Sequence, residues 1–504
     1  MTLALAAWMA CAPVSAGSAS PDAEFRDLVF SGEARCAPPP TGAAGTAVAH
    51  ERTLRAVPGA PILERDFAHD LHLLQWLDVP VDSLSAAIPF TVREGAVGLT
   101  IRAVLSSDLF DVQVQLFDDA GQQLNDTSPD APVVGEVRIG RGATQMPSTD
   151  RDGWELEPGV YSFRVRAIPK EAQPVFGSTA QVIATLRTDV AADVDDLLDL
   201  NFVYLPGCNV SVASATTDPH FAVFLDRVVQ WLEPSGIQLG EITHNDLALP
   251  EFSVIATWEE AGAMFRTSAT LGRARALNVY CVQRFEAPLN PVVGLSGGIP
   301  GPSWNGTRDS GIALTTQTLF SCPDCVDAYA SLMVHEIGHY LGLYHTTEAD
   351  YAAGDPFSDT PRCTEEESGD DLRQCPDWDY VMFPVIHAAN RVWSAGQATI
   401  SRTHPLVRTV VRLTPERSHA RRVARVVGNP FEGAVTLVLQ REAPGLSAVV
   451  YDVRGQRVQS LRTNGGEITW DGRGEGGRAA AAGVYFLRID DAGRVETHRV
   501  VKLR

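Results

Sequence analysis

The sequence predicts a multidomain protein in which a central α/β (α+β) domain lies between two β-sandwich domains. The chain has 504 residues, enough for about three or four domains. Short runs of alternating apolar and polar residues, separated by turn residues, fill 76–190 and 426–504. Residues 196–405 instead mix strand-like runs with stretches of helical periodicity. These three observations define the predicted architecture.

The composition excludes several classes of protein. Hydrophobic residues make up 45 % of the chain and charged residues 20 %, which excludes a largely disordered protein, a collagen and a coiled coil. The 62 acidic residues outnumber the 41 basic ones, so the net charge is −21. This balance argues against a broad basic surface, and we therefore expect no nucleic-acid partner.

The N-terminus has the pattern of an export signal. Residues 1–19 form a short apolar run followed by small residues, as in a secretory signal peptide, and a disordered N-terminus is the alternative. Residues 20–75 contain the stretch CAPPPTGAAGTA and are interpreted as a pro-segment or linker, with a plain unstructured spacer as the alternative. No other segment is long and apolar enough to predict a transmembrane helix.

The two outer regions resemble known non-catalytic modules. In 76–190, LFDDAG and LEPGVYSFRV resemble the bacterial pre-peptidase C-terminal domain, a module found beside secreted peptidases. In 426–504, NPF, VYDVRGQRV, WDGR and AAGVYFLRI resemble the Ig-like repeat of the flagellar hook-capping protein and the C-terminal sorting domain of type IX secretion substrates. An Arg-rich linker occupies 406–425. The resemblance implies a bacterial protein, secreted or at the cell surface, with the secretion machinery as a partner.

The central region carries both predicted strands and predicted helices. LDLNFVYL, IQLGEI and LNVYCVQRF are typical of strands. DPHFAVFLDRVVQWLE has apolar residues at helical spacing, and a second helix is predicted over about 324–341.

The segment SLMVHEIGHYLGLYH, residues 331–345, carries the residues with the clearest chemistry. His335 and His339 are one helical turn apart, so both imidazoles can face one metal ion. Gly342 can adopt a positive φ and end the helix, which returns the chain and brings His345 in as a third ligand. Three nitrogen ligands leave the fourth position of a tetrahedral Zn²⁺ open, as in catalytic zinc sites.

The spacing H-E-x-x-H-x-x-G-x-x-H is that of the metzincin zinc peptidases, and the residues that follow resemble the pappalysin family. GDPFSDTP at 354–361 resembles that family's G-D-x-x-x-D-T-P segment, and DYVMFP at 379–384 lies where a metzincin has its Met-turn. The resemblance implies that Met382 lies in the turn beneath the zinc, and that oxygen donors of 354–361 help to bind calcium. An acidic surface turn is the alternative for that segment. The candidate calcium ligands are Asp355, Asp359 and Thr360.

The family's mechanism assigns a role to Glu336. Zinc lowers the pKa of its bound water, Glu336 removes a proton from that water as general base, and the water attacks a peptide carbonyl. The predicted function is a secreted zinc-dependent metalloendopeptidase acting on protein or peptide substrates. The alternative is a catalytically silent zinc-binding adhesion or scaffold protein on a protease fold, but such a site needs no base. Pro384 stands where pappalysins commonly have a tyrosine, so no tyrosine role is assigned.

The stretch 292–314, which precedes the active-site helix, is a candidate for substrate binding. In metzincins this region carries the edge strand that pairs with an extended substrate, so the resemblance implies peptide binding by strand addition. A flexible surface loop is the alternative.

The cysteines of an exported protein are expected to pair for the most part. Cys363 and Cys375 are close in sequence and form the first predicted disulfide. Further candidate pairs are Cys208 with Cys281 and Cys322 with Cys325. Cys36 is left over and is a candidate latency thiol that occupies the open zinc position, as in the cysteine switch of some metzincins. A disulfide or an unreactive thiol is the alternative for Cys36.

Overall fold

The computed structural model shows two compact units, Met1–Val212 with Arg227–Arg412 and Ala213–Asp226 with Leu413–Arg504. The described residues are 5–6, 60–125, 135–150, 155–169, 177–188, 194–271, 274–289, 292–316, 323–348, 351, 353–369, 371–387, 390–411, 424–427, 429–439, 447–452, 456–463, 466–491 and 494–503. Cys36, Cys322 and all of the predicted signal peptide except the two-residue strand β1 (Leu5–Ala6) lie outside them.

The first unit contains a large antiparallel sheet of nine strands. Its core side chains come from nearly every strand, and the rings of Trp76 and Phe163 meet edge to face with centroids 4.9 Å apart. The order across the sheet is β2-β3-β10-β5-β8-β7-β6-β9-β4. The strands are β2 Leu63–Ala68, β3 Leu71–Val81, β4 Ile88–Val92, β5 Ala96–Leu105, β6 Phe110–Phe117, β7 Gly135–Ile139, β8 Arg141–Met146, β9 Gly159–Pro169 and β10 Ser178–Thr188.

The sheet begins earlier than the sequence predicts. Residues 63–75 belong to the predicted pro-segment or linker, but they form β2 and the first part of β3. Six consecutive residues of β3, from Leu71 to Trp76, are buried on both faces of the sheet. A strand covered on both faces loses the alternation of apolar and polar residues by which strands are recognised.

The central region is built on a mixed sheet in the order β12-β11-β14-β17-β16, with β19 pairing with β11. Strands β11, β12, β14 and β17 run parallel to one another, whereas β16 and β19 pair antiparallel to their neighbours. The strands are β11 Val194–Tyr204, β12 Ile237–Asp246, β14 Leu277–Val282, β16 Gly294–Ser296, β17 Ile312–Thr315 and β19 Arg408–Val411. Two short pairs join β13 Val254–Ile255 to β15 Arg284–Phe285, and β1 to β18 Val385–Ile386.

The helices of this stretch of chain include both that the sequence predicts. They are α1 Val212–Thr217, α2 Pro219–Leu232, α3 Trp258–Arg266, α4 Pro323–Tyr340, α5 Glu365–Ser368 and α6 Ala395–Thr403. Short 3₁₀ turns occur at Glu233–Ser235, Pro250–Phe252, Thr267–Thr270 and Leu372–Gln374. Helices α3, α5 and α6 each begin with a capping box, in which the N-cap hydroxyl and the N3 side chain satisfy each other's backbone amides. Helix α4 packs against β16 and β17 and carries the predicted metal ligands.

The predicted linker at 406–425 is partly sheet. Strand β19 pairs with β11, and the Arg408 guanidinium donates two hydrogen bonds to buried Asp199, at 2.7 and 2.8 Å. Arginine that pairs with a buried carboxylate in this bidentate manner is structural, although in the sequence it is indistinguishable from a solvated linker arginine. Residues 412–423 lie outside the described residues.

The second unit contains two antiparallel sheets around one core that includes Trp470 and Phe431. One sheet has the order β20-β21-β24 and the other β23-β22-β25-β26. The strands are β20 Ala424–Val427, β21 Val435–Leu439, β22 Ser447–Asp452, β23 Arg457–Arg462, β24 Glu467–Trp470, β25 Gly483–Asp491 and β26 Arg494–Lys502.

The cysteines follow the predictions in part. A disulfide joins Cys363 to Cys375. Cys325 is also disulfide-bonded. The predicted pairing of Cys208 with Cys281 is wrong in this structure, where both are free thiols. Within the described part of the chain, no helix is long and apolar enough to span a membrane.

His404 at the end of α6 makes the stability of the first unit dependent on pH. Its buried ring donates from Nε2 to the Gly301 carbonyl (3.0 Å) and accepts at Nδ1 from the Leu406 amide (3.1 Å). Burial lowers the pKa of His404 to about 3, below its ordinary value of 6.5. The unfolded chain therefore binds a proton that the folded chain excludes between pH 6.5 and 3, and stability falls as the pH is lowered through that range.

We expect His404→Gln to flatten this dependence by up to about 1.4 kcal/mol per pH unit. Urea unfolding of the wild type and the variant at pH 4, 5 and 6 measures the difference in slope. His220→Gln is the control, because the His220 side chain is 69 % exposed. Parallel pH profiles for the wild type and His404→Gln would contradict the expectation.

Candidate metal centre

Three buried histidines converge at the C-terminal end of α4. His335 and His339 lie one turn apart on the helix, and His345 follows the turn after it. The Nε2 atoms of His339 and His345 are 3.1 Å apart, and one nitrogen from each of the three rings lies within 4.8 Å of the others. The structure therefore brings together the three predicted ligands.

Each ring is oriented by a hydrogen bond from its other nitrogen. Nδ1 of His335 donates to the carbonyl of Val381 (2.8 Å), and Nδ1 of His339 donates to the carbonyl of Leu343 (2.8 Å). Both rings therefore carry their proton on Nδ1 and present a lone pair at Nε2. Nε2 of His335 is buried and has no hydrogen-bond partner among the described residues. A divalent metal ion fits this donor set.

The third ring has a carboxylate partner that the sequence did not indicate. Nδ1 of His345 lies 2.9 Å from Oε2 of Glu348, three residues further along the chain. A carboxylate behind a ligating histidine fixes its ring and raises its basicity. The only signal in the sequence is an acidic residue close after His345, which is a common occurrence in a chain of this charge.

Burial keeps His335 and His339 in the neutral form that binds metal. Burial is the main cause that lowers the pKa of His335 to about 3, and His345 contributes. Burial also lowers the pKa of His339 well below 6.5. A neutral imidazole does not need to lose a proton before it binds a metal ion.

Glu336 lies beside the histidines, against the edge strand β16. It is 3 % exposed, and burial raises its pKa to about 8. A Cβ placed on Gly294 of β16 would lie 2.8 Å from Oε1 of Glu336, so glycine at this position lets the strand pass directly over the carboxylate. The predicted base and the predicted substrate strand are therefore in contact.

Gly342 ends α4 with φ +102°, as the sequence predicts. Its amide donates to the carbonyl of His339 (2.9 Å), and the Leu343 amide donates to the carbonyl of Gly338 (2.9 Å). These bonds close the turn that returns the chain towards the metal centre. The positive φ is one reason for glycine here; close approach of Gln145 is a second.

Met382 lies beneath the histidine-bearing turn of α4. A Cβ placed on Gly338, between the two helical histidines, would collide with Sδ of Met382. The carbonyl of Met382 accepts from the Thr346 amide (3.0 Å), and the preceding residue, Val381, orients His335. This segment therefore supports both ends of the metal centre.

A cleft opens onto this centre. Strand β16 forms one wall and is the last strand of the central sheet. The cleft is lined by Trp258, Leu289, Val292, Gly294, Leu295, Ser296, His335, Glu336, His339 and His345.

The candidate calcium residues lie in one loop close to the start of α6. Thr360 Oγ1 donates to Asp355 Oδ1, and Asp359 Oδ2 accepts from the Gly396 amide (2.9 Å). Gln397 Nε2 donates to Asp355 Oδ2 at 3.2 Å. Burial raises the pKa of Asp355 to about 7. The three residues are close together, and calcium binding by them stays a prediction.

A buried three-histidine centre with an adjacent glutamate, on a mixed sheet with an antiparallel edge strand, defines the central region as that of a zinc metallopeptidase. Residues 293–379 match the model of the M43 peptidase family, described as pregnancy-associated plasma protein-A. This match includes the whole histidine motif and β16. This match and the intact histidine triad together support a zinc metalloendopeptidase.

Parts of this chain are similar to solved structures, including the three that follow, and a search of curated proteins found no match. PorZ, a surface component of the type-IX secretion system of Porphyromonas gingivalis, is 26 % identical over 16 % of this chain and 11 % of that chain, with a TM-score of 0.15. Metalloproteinase-II from Bacteroides fragilis is 15 % identical over 34 % of this chain and 51 % of that chain, with a TM-score of 0.23. OgpA from Akkermansia muciniphila is 10 % identical over 62 % and 94 %, with a TM-score of 0.18. This chain covers about a tenth of PorZ and about half of the Bacteroides enzyme.

Proposed function

We propose that this protein is an exported endopeptidase that hydrolyses peptide bonds in protein substrates, with Glu336 as the general base. The strongest support is the position of Glu336, buried in the cleft wall immediately beside three converging histidine nitrogens.

The chain's own residues account for substrate binding and proton transfer. Strand β16 is the edge of the central sheet, so an extended peptide can add to it as a further strand. Glu336, in contact with that strand, takes a proton from the attacking water and delivers it to the departing amine. A zinc ion held by His335, His339 and His345 supplies Lewis acidity to the peptide carbonyl and to the water.

Export is supported by the disulfide between Cys363 and Cys375, because such bonds persist in oxidising compartments. The signal-like residues 1–19 agree with this. We assign the second unit to sorting by the secretion machinery, on its resemblance to type IX sorting domains. The same proposal includes calcium bound by Asp355, Asp359 and Thr360. The groups that hydrogen-bond to Asp355 are neutral, so none of them offsets the charge of its carboxylate.

Removal of metal tests the proposal. We expect the purified full-length protein to hold a single zinc ion, to lose peptide-bond hydrolysis when a chelator removes it, and to regain hydrolysis on addition of zinc alone. Elemental analysis of the same samples measures zinc and calcium together, and mass spectrometry of a cleaved peptide identifies the bond broken. Undiminished hydrolysis by zinc-free protein would overturn the proposal.

A further inference from the structure

The N-terminal sheet contacts the catalytic helix at the point where that helix ends. Gln145 of β8 is 2 % exposed, and its Nε2 donates to the carbonyl of Leu341 at 3.3 Å. A Cβ placed on Gly342 would lie only 2.8 Å from Cδ of Gln145. The side-chain amide is therefore packed directly on the turn that ends α4.

This contact matters because carbonyls at a helix C-terminus have no partner within the helix. The Leu341 carbonyl accepts a hydrogen bond from a side chain of the N-terminal sheet. The chain reverses at Gly342 and reaches the ligand His345 three residues later. A shift of this turn would therefore move the third imidazole relative to the two on the helix.

The N-terminal sheet is itself fixed to the catalytic region by buried polar contacts. Asp309, 2 % exposed, is paired with Arg102 and, at 2.9 Å, with Arg141. Arg102 also donates to the carbonyl of Pro300 (2.9 Å), and Thr149 donates to that of Pro356 (2.9 Å). Arg141 and Thr149 flank Gln145 along the chain, so its position is fixed from both sides.

We propose that the N-terminal sheet is part of the active-site framework, and that Gln145 is a positioning residue which holds the Leu341–Gly342 turn and thereby places His345. This inference rests on the proposed zinc peptidase function. It assigns to a region resembling an accessory module a direct effect on metal affinity and turnover.

The test compares Gln145→Met with a matched control in full-length protein. Methionine fills the same volume but cannot donate to Leu341. We expect the zinc dissociation constant, measured by competition with a chromogenic chelator, to rise about tenfold or more, and kcat to fall with little change in KM. Gln123→Met is the control, because the Gln123 amide also donates to a backbone carbonyl, that of Asn125, in the segment that follows β6.

The outcomes separate this inference from the proposed function. Wild-type zinc affinity and kcat in folded Gln145→Met would overturn the inference alone, whereas a wild type without zinc or hydrolysis would overturn the function. A loss of thermal stability in Gln145→Met without a change in zinc affinity would also overturn the inference, since that is the effect of a purely structural contact.

A measurement on the wild type keeps the inference testable if the variant does not fold. Coupling between two sites is reciprocal, so zinc binding should slow amide hydrogen exchange in β8. Peptides covering β8 are compared in zinc-loaded and chelated protein, with β4 of the same sheet as the internal reference. Unchanged exchange in β8 would contradict the coupling.

Discussion

Glu336→Ala is expected to lower kcat/KM for a peptide substrate by about 10²–10⁴-fold while the zinc content stays that of the wild type. General base catalysis contributes a factor of this size, and Glu336 lies beside the histidines without belonging to the converging donor set. The alanine side chain leaves the three imidazoles and their Nδ1 partners in place. Single-turnover hydrolysis of a fluorogenic peptide, with elemental analysis of the same preparations, measures both quantities.

The control for this experiment is Glu259→Ala, an exposed glutamate in the first turn of α3 next to the cleft residue Trp258. We expect near-normal zinc content and hydrolysis from it. Activity of Glu336→Ala close to that of the wild type would contradict the assigned role. If the wild type itself binds zinc but cleaves neither casein nor gelatin, the adhesion or scaffold alternative becomes the better interpretation.

The metal centre was predictable because its geometry is local. Two histidines at i and i+4, followed by a glycine that can end the helix, fix the relative positions of three side chains within eleven residues. The edge strand and the turn containing Met382 were predictable only by resemblance, since nothing in their own sequence says that they pack against α4. Their contacts with Glu336 and with Gly338 appear only in three dimensions.

The contacts that sequence reasoning missed connect residues far apart in the chain. Gln145 and Leu341 are separated by 196 residues, and a glutamine in a strand is ordinarily interpreted as solvent-facing, whereas every residue of β8 is buried. Strand β3 was missed because burial on both faces removed its alternation of apolar and polar residues. In both cases the missing information was which other surface covers the strand.

Asp309→Ala is expected to destabilise the first unit by about 3–5 kcal/mol, the range for removing one partner from a buried ion pair. Burial alone would raise the pKa of Asp309, but Arg141 and Arg102 together hold it below its ordinary value, so the group is ionised in the folded chain. Its removal leaves two buried arginines without their shared carboxylate. Chemical denaturation monitored by tryptophan fluorescence measures the loss.

Two further variants show whether charge or packing causes this loss. Glu286→Ala removes an ion pair with Arg284 in which both side chains are more than 40 % exposed, and we expect less than about 1 kcal/mol. Adding Arg102→Met and Arg141→Met to Asp309→Ala removes the uncompensated charges and should restore much of the stability, because apolar residues replace buried ion pairs at little net cost. If the triple variant is no more stable than Asp309→Ala, the loss comes from the cavity instead. If it is restored but zinc binding is weakened, the arginines serve chiefly to hold β8, and with it Gln145, against the end of α4.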